Sequence, residues 1–187
     1  MTRLVAWLLP AALLVPVVTP LWGRWQLACR EPTFTWPIGG LSDYVLRADA
    51  YGSGAFGSRR RGGRSHNGID LAAPIGTPVR AAKSGTARHG RQRDGMGTYL
   101  EVHHHDGSVA LYGHLSRMVV ADGQWVSRGQ VIGLVGKSGN ARPRRIHPHL
   151  HFELRLRGVP LDPLDGYLDG TEVSRSSGRP AARSAKT

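Results

Sequence analysis

Cysteine is nearly absent from this 187-residue chain, in which Cys29 is the only one. A single cysteine excludes an intramolecular disulfide and a zinc cluster built from thiolates. Any transition-metal site must therefore use histidine, aspartate or glutamate ligands. The length leaves room for one ordinary domain with short appendages.

Acidic residues are also scarce, with 13 of them against 25 lysines and arginines and a formal net charge of +12. The basic residues cluster in Ser58–Arg64, in Arg142–Arg145 and in the tail after Gly170. This balance favours a polyanionic surrounding, either nucleic acid, anionic lipid or an anionic cell wall, although plain solubility of an arginine-rich chain explains it equally well. Aromatic residues make up only 7% of the chain and rarely lie among the basic runs. We therefore predict that nucleic acid is not the partner.

The N-terminus carries a long apolar run. Nineteen residues, Leu4–Trp22, follow Arg3 and include a single polar residue, Thr19. A positive start before such a run is typical of an export signal, either cleaved or retained as a membrane anchor. We predict an apolar helix here, an extracytoplasmic location for the rest (periplasm, cell wall or secreted), and an anionic cell envelope as its surrounding. A buried core helix is the alternative, and Gln26–Cys29 resembles a lipoprotein box only weakly.

Helical periodicity of useful length is missing between Gly52 and Pro163, where short β-type runs occur instead. The chain has 25 glycines and 12 prolines, which suit turns between short strands. We predict an all-β fold, a compact antiparallel sandwich or small barrel. The segment Gly123–Gly139 resembles part of lipoyl and biotinyl carrier domains, but Lys137 lacks the surroundings of a carrier lysine, so the segment indicates fold rather than function. The predicted strands are residues 77–82, 85–90, 98–105, 108–115, 130–136 and 149–156.

These patterns divide the chain into four parts. Residues 1–28 are predicted to be the signal peptide or anchor, and residues 29–50 a linker that leads into the first strand. Residues 51–165, which hold the predicted strands, form the predicted main domain. Residues 166–187 form a basic tail that lacks large apolar residues beyond Val173 and is predicted to be disordered.

The stretch His147–Leu154 holds three histidines within a predicted strand. Side chains alternate along a strand, so His149, His151 and Glu153 share one face, while Leu150 and its neighbours face the core. Two imidazoles at this spacing suit two ligands of one ion, or one ligand beside one catalytic group. A polar face on an edge strand is the alternative.

Further donors are needed to complete a metal site. His66 and Asp70 lie four residues apart, and Gly68 and Pro74 make a helix improbable between them. In a bent loop that enters a strand, these two side chains can still converge on one ion. A catalytic zinc site takes three nitrogen or oxygen ligands and keeps one position for water. His114, at the end of another predicted strand, is a candidate member of the site, or a turn histidine.

Together these motifs resemble the lysostaphin/LytM-type zinc metallopeptidases, which cut peptidoglycan peptides. The motifs are HNGIDLAAP (His66–Pro74), YGHL (Tyr112–Leu115) and HPHLHFEL (His147–Leu154), and the resemblance extends from Tyr51 to Pro163. The resemblance implies a compact antiparallel β core with a groove over a single zinc ion. It also implies the site residues, which are His66, Asp70 and His151 as zinc ligands and His149 and His114 as catalytic groups.

The chemistry implied by the resemblance is hydrolysis by metal-activated water. A neutral imidazole suits the work of a general base, and we assign it to His149. His114 is assigned to stabilise the oxyanion or protonate the leaving amine, although the two roles could be exchanged. Tyr112 is expected to share the strand face of His114 and to hydrogen-bond at the site, unless it is a core-edge tyrosine.

The chain departs from the family between Gly139 and His149, where nine residues replace a shorter turn. Its arginines Arg142, Arg144 and Arg145 are predicted to bind substrate by pairing with stem-peptide carboxylates. The predicted function is a zinc endopeptidase acting on peptidoglycan cross-links or stem peptides. The alternative is a non-catalytic LytM-like domain that binds peptidoglycan or regulates another hydrolase. Glycyl bridges and D-Ala cross-links both remain open as the scissile bond.

Overall fold

The computed structural model describes residues 31–60 and 62–172. The predicted apolar helix, with the signal or anchor of residues 1–28, lies outside this range, as does the tail beyond residue 172. No helix in the described part is long and apolar enough to cross a membrane.

Twelve short strands and one 3₁₀ turn, Gly139–Ala141, make up the regular structure of the described residues. The predicted bounds of two strands, residues 108–115 and 149–156, match the structure. The strands are β1 (Ala48–Asp49), β2 (Gly52–Ser53), β3 (Ile69–Ala72), β4 (Pro78–Arg80), β5 (Gly85–Gln92), β6 (Gly97–His103), β7 (Ser108–Leu115), β8 (Arg117–Met118), β9 (Trp125–Val126), β10 (Val131–Leu134), β11 (His149–Leu156) and β12 (Val159–Leu161).

The strands form three sheets, of which the largest has seven strands in the order β12-β11-β7-β6-β5-β9, with β3 also paired to β11. A second sheet has the order β4-β10-β8, and β1 pairs with β2. The strand pairs are antiparallel. The prediction of an all-β antiparallel fold is therefore confirmed. β11 lies inside the large sheet, with β7 along one edge and β3 followed by β12 along the other.

The core is a single apolar cluster to which both larger sheets contribute. Leu100 and Phe152 come from the seven-stranded sheet, and Val79 and Ile132 come from the three-stranded sheet. All four are fully buried. Each such side chain contributes about 1.5–3 kcal/mol when it is removed from water. The core therefore holds β11 firmly from its apolar face, while its histidines lie on the opposite face.

The segment predicted as a linker packs into this core. Phe34, Trp36 and Ile38 are buried there, and Phe34 forms a parallel bridge with Leu168. Leu168 is itself fully buried, although it falls within the predicted disordered tail. Large apolar side chains that lie far apart in sequence complete one core, which includes residues before 51 and after 165.

A β-bulge interrupts β7 close to its end. Leu100 of β6 pairs with Tyr112, but Thr98 pairs with Leu115, so β7 contains one extra residue over this interval. His114 within the bulge has a φ of 61°, in the left-handed region. A bulge of this kind re-aims the side chains beside it. It turns His114 towards the histidines of β11, with ring centroids 4.9 Å apart for His114 and His149.

Candidate metal centre

Three donor atoms from separate parts of the chain meet in a buried triangle. Nε2 of His66 lies 3.0 Å from Nδ1 of His151, and that nitrogen lies 2.8 Å from Oδ1 of Asp70. The third edge, from His66 Nε2 to Asp70 Oδ1, is 3.1 Å. All three residues are buried and form the one such group that could hold a metal ion in the described part of the chain.

Strand pairing places these donors together. In the register of β3 and β11, Asp70 lies directly opposite His151. His66 reaches the same point from the loop before β3, where the chain passes close to β11. A Cβ atom on Gly68 would lie 2.3 Å from the carbonyl oxygen of Phe152, so only glycine fits at this approach.

The outer nitrogen of each imidazole in the triangle has its own acceptor. Nδ1 of His66 lies 2.9 Å from the carbonyl oxygen of Ala55, and Nε2 of His151 lies 3.0 Å from Oε1 of Glu153. Arg155 in turn donates to Glu153 at 2.7 Å. A histidine whose outer N–H donates to a carbonyl or carboxylate directs its other nitrogen, as a lone pair, towards a metal.

The donor set fits a zinc ion. Zinc–ligand bonds of about 2.0–2.1 Å in a tetrahedron separate the ligand atoms by roughly 3.3 Å, so a small expansion of the triangle accommodates the ion. Two imidazoles and a carboxylate are also ligands that zinc accepts. Burial lowers the pKa of His151, but hydrogen bonds to Asp70 and Glu153 outweigh it and raise the value to about 9. Positive charge is therefore stabilised at this point.

The second oxygen of Asp70 is occupied by two arginines. Oδ2 accepts from Nε and Nη2 of Arg47 at 3.2 and 3.0 Å, and from Nη2 of Arg60 at 2.9 Å. Asp49 pairs with Arg47 at 2.6 Å and accepts from the backbone N–H of His147 at 3.1 Å. The arginines leave Oδ1 of Asp70 to face the two histidines.

Two further histidines lie beside the triangle. The ring of His114 is 4.9 Å from that of His149 and 5.8 Å from that of His151. Nδ1 of His149 donates to the carbonyl oxygen of His147 at 2.6 Å, and Nδ1 of His114 donates to that of Ser138 at 3.1 Å. With both Nδ1 atoms held as donors, Nε2 of each ring is the free acceptor.

Burial keeps both of these imidazoles neutral. It is the main cause that lowers the pKa of His114 to about 3, with neighbouring His149 and His151 adding to the effect. Burial also lowers the pKa of His149, although nearby Asp70 opposes the shift. Neutral imidazoles with a free Nε2 can accept a proton.

The model of peptidase family M23 matches residues 64–163, which contain all four of these histidines and Asp70. This match covers more than half of the chain. The chain belongs to peptidase family M23.

Two bacterial enzymes are similar to this chain in sequence. The chain is 41% identical over 113 residues to a DD-carboxypeptidase/endopeptidase, Mpg, of Neisseria meningitidis, covering 60% of this chain and 25% of that protein. It is 44% identical over 97 residues to the peptidoglycan DD-endopeptidase ShyA of Vibrio cholerae, covering 52% and 22% respectively. The chain thus spans about a quarter of the length of these relatives.

Solved M23 structures share the fold. A zinc-containing peptidase from Vibrio cholerae superposes with a TM-score of 0.56 at 33% identity, over 70% of this chain and 39% of that one. The catalytic domain of lysostaphin from Staphylococcus simulans superposes with a TM-score of 0.53 at 30% identity, over 65% of this chain and 96% of that one.

Tyr112 is buried in the core, so the prediction that it contacts substrate is wrong. Its side chain has no exposed surface, packs against Phe152 and accepts a hydrogen bond from the backbone N–H of Ala82 at 2.8 Å. The expectation that it shares a face with His114 assumed regular alternation. The bulge breaks that alternation, so Tyr112 is a core residue.

The three arginines of the inserted loop are exposed, between the 3₁₀ turn and β11. Arg142 donates to the carbonyl oxygens of Gly139 at 3.1 Å and Arg93 at 2.8 Å. The carbonyl oxygen of Arg144 accepts from Lys137 at 3.3 Å. A contact between these arginines and substrate therefore stays a prediction.

Sequence reasoning missed the residues that orient the candidate metal ligands. The strand pattern placed Glu153 on the same face as His149 and His151 but predicted no function for it. Arg60 was noted only as part of the basic cluster Ser58–Arg64. Arg47 carried no signal, because it lies 23 residues from Asp70 in the sequence. Both arginines precede the residues matched by the family model.

Proposed function

We propose that this chain is a zinc-dependent endopeptidase that hydrolyses peptide cross-links or stem peptides of bacterial peptidoglycan. The observation that carries the proposal is the buried triangle of His66, Asp70 and His151 donors. The peptidoglycan endopeptidase activity named for its relatives supports the substrate class. Since the chain spans only part of those relatives, its own activity needs direct measurement.

His66, Asp70 and His151 would hold one zinc ion per chain. When bound, zinc supplies a Lewis acid that polarises the scissile carbonyl and acidifies the attacking water. Glu153 and the carbonyl of Ala55 keep the two imidazoles in the required tautomer. Arg47 and Arg60 keep the carboxylate of Asp70 in one orientation.

His149 is proposed as the general base. Its Nδ1–H is anchored on the carbonyl oxygen of His147, and its Nε2 lies 3.8 Å from Oδ1 of Asp70, so it borders the ligand triangle. From that position Nε2 can take a proton from the attacking water. His114 is proposed to stabilise charge on the carbonyl oxygen or to protonate the leaving amine, although His149 and His114 could exchange roles. Either role of His114 needs a proton on Nε2, which the ring has to take up first because its Nδ1–H is held by Ser138.

Arg142, Arg144 and Arg145 are proposed as substrate contacts. Their guanidinium groups extend from an exposed loop that leads directly into β11 and the catalytic histidines. A planar guanidinium pairs with a carboxylate through two parallel hydrogen bonds. Stem peptides carry free carboxylates that suit this contact.

An extracytoplasmic location follows from the proposed substrate. The apolar run Leu4–Trp22 is proposed to export the chain, with or without retention in the membrane. The net charge of +12 would favour residence in an anionic cell envelope.

The test combines metal content with digestion of purified peptidoglycan. We expect about one zinc per full-length chain, release of soluble muropeptides, and loss of both in His151→Ala. The exposed His103→Ala is the matched control and should retain both. Mass spectrometry of the released muropeptides identifies the scissile bond. Absence of stoichiometric zinc, or full activity of His151→Ala, contradicts the proposal, while peptidoglycan binding without cleavage would support the non-catalytic alternative.

A further inference from the structure

A surface groove of about 570 Å³ lies between the β5–β6 hairpin and the segment that follows β10, and its lining includes Leu115, the residue after His114. Four basic residues line it, and the lining includes no aspartate or glutamate. The basic residues are Arg91, Arg93, Lys137 and Arg142.

The floor of this cationic groove is rigid. A Cβ atom on Gly97 would lie 2.2 Å from Oγ of Ser138, so the two segments are in close contact. Oγ of Ser138 accepts from the backbone N–H of Thr98 at 2.9 Å and donates to the carbonyl oxygen of Leu115 at 3.0 Å. The groove is therefore preformed and does not depend on loop closure.

The floor also connects the groove to the catalytic residues. The carbonyl oxygen of Ser138 receives the Nδ1–H of His114 at 3.1 Å. The backbone N–H of His114 donates to the carbonyl oxygen of Met96, in the β5–β6 turn, at 2.8 Å. Ser138, which lines the groove, is therefore in direct contact with the ring of His114.

The positive charge of the groove is not neutralised by the described part of the protein. Arg91 and Arg93 are exposed, and neither is ion-paired with a carboxylate among residues 31–60 and 62–172. The guanidinium of Arg142 is held in place by two carbonyl oxygens rather than by an acid. Like charges around one concave surface raise the local potential, which attracts an anion.

We propose that the cationic groove binds a carboxylate of the substrate peptide and thereby selects stem peptides with free rather than amidated carboxyl groups. This inference rests on the proposed function, since it assigns a specificity subsite to the same enzyme. Arginine side chains recognise carboxylates in a bidentate geometry, whereas a carboxamide carries no charge and offers one acceptor oxygen.

The test uses the full-length chain and two synthetic dimeric stem peptides that differ only in having carboxylates or carboxamides. We expect the wild type to prefer the carboxylate peptide. Arg91→Gln combined with Arg93→Gln should lower kcat/KM for that peptide by roughly three- to tenfold, mainly through KM, because the lost contacts are charge pairs close to solvent. The same double variant should hydrolyse the carboxamide peptide as well as the wild type does.

Arg157→Gln is the matched control, since Arg157 is exposed in the turn between β11 and β12, at the other end of β11 from its histidines. Equal losses for both peptides, or an equal loss in Arg157→Gln, would overturn the inference in favour of general attraction to polyanions. Fluorescence anisotropy with labelled peptides and metal-depleted protein measures groove binding without turnover. The binding measurement therefore decides the inference even if neither peptide is cleaved. Absence of cleavage would count against the proposed function and not against the groove.

Discussion

Two buried clusters of polar residues, near opposite ends of β7, show what distinguishes a candidate metal centre from a structural histidine. Next to the start of β7, His104 is 6% exposed and lies against Phe34. Its Nδ1 donates to the carbonyl oxygen of Ser84 at 3.0 Å, and its Nε2 has no hydrogen-bond partner among the described residues. At the other end, His151 is 4% exposed but lies between two carboxylates.

Equal burial leads to opposite charge preferences in these clusters. Burial is the main cause that lowers the pKa of His104 to about 4, so the ring remains neutral. Carboxylates outweigh burial at His151 and raise its pKa to about 9. A buried histidine therefore indicates a cation site only when acidic partners and a second imidazole converge on it.

The largest effect is expected from removing the carboxylate of the triangle. Asp70→Ala deletes one of the three proposed ligands. It also leaves Arg47 with Asp49 as its remaining partner and removes the carboxylate that Arg60 pairs with. We expect loss of stoichiometric zinc and a fall in kcat/KM of at least about 1,000-fold. Metal analysis and muropeptide release measure it. Retention of zinc by this variant would show that Asp70 is not a ligand.

The next effect concerns the proposed base. His149→Ala should keep zinc, because His149 is outside the ligand triangle, and should lower kcat by about 100- to 10,000-fold. Parallel measurement of His114→Ala shows which of the two imidazoles contributes more. If His149→Ala loses zinc as completely as Asp70→Ala does, the division between ligand and base is incorrect.

A smaller effect should follow from releasing the second oxygen of Asp70. Arg47→Met retains most of the side-chain volume but removes the positive charge and both hydrogen bonds to Oδ2 of Asp70. We expect zinc affinity to fall by about 10- to 100-fold, the usual effect of losing a partner that orients a ligand. Competition with a chelator measures the affinity, and Arg80→Met, at an exposed position, is the control. Unchanged affinity would mean that Arg60 alone suffices.

The smallest effect on activity is expected at His104, whose influence is on stability. Its folded pKa of about 4 lies below the unfolded value of about 6.5, so the unfolded chain binds the proton first as the pH falls. The free energy of unfolding is therefore highest above pH 6.5. Between pH 6.5 and pH 4, the titration of His104 lowers it by about 3 kcal/mol. His104→Asn keeps a donor for Ser84 and removes this titration.

Urea denaturation between pH 7 and pH 4 measures the difference. His104→Asn should lose less stability on acidification than the wild type, with unchanged zinc content and peptidase activity. His103→Asn, whose side chain is half exposed, controls for the removal of a histidine. Parallel pH profiles for wild type and His104→Asn would show that the buried ring of His104 does not control acid stability.

Much of the site was predictable, because the signals are local. Alternation in β11 separates His149 and His151 from Leu150 and Phe152, and the structure confirms that division. His66 and Asp70 lie four residues apart, so a short loop suffices to bring them together.

Other features could not be predicted, because they depend on pairing between distant segments. No local pattern around Trp36 indicates that the predicted linker packs into the core. The same is true of Leu168 in the predicted tail. The bulge that separates His114 from Tyr112 is visible only as a shift in register against β6.

The sequence by itself determined the strand pattern and the kinds of donor available, since both follow from side-chain alternation and from the near absence of cysteine. Only the tertiary structure decided how the donors are oriented and what surrounds them. Arg47 reaches Asp70, Ser138 holds His114, and four basic side chains surround one groove because separate strands pair in one register. These contacts join residues tens of positions apart, so no local pattern encodes them.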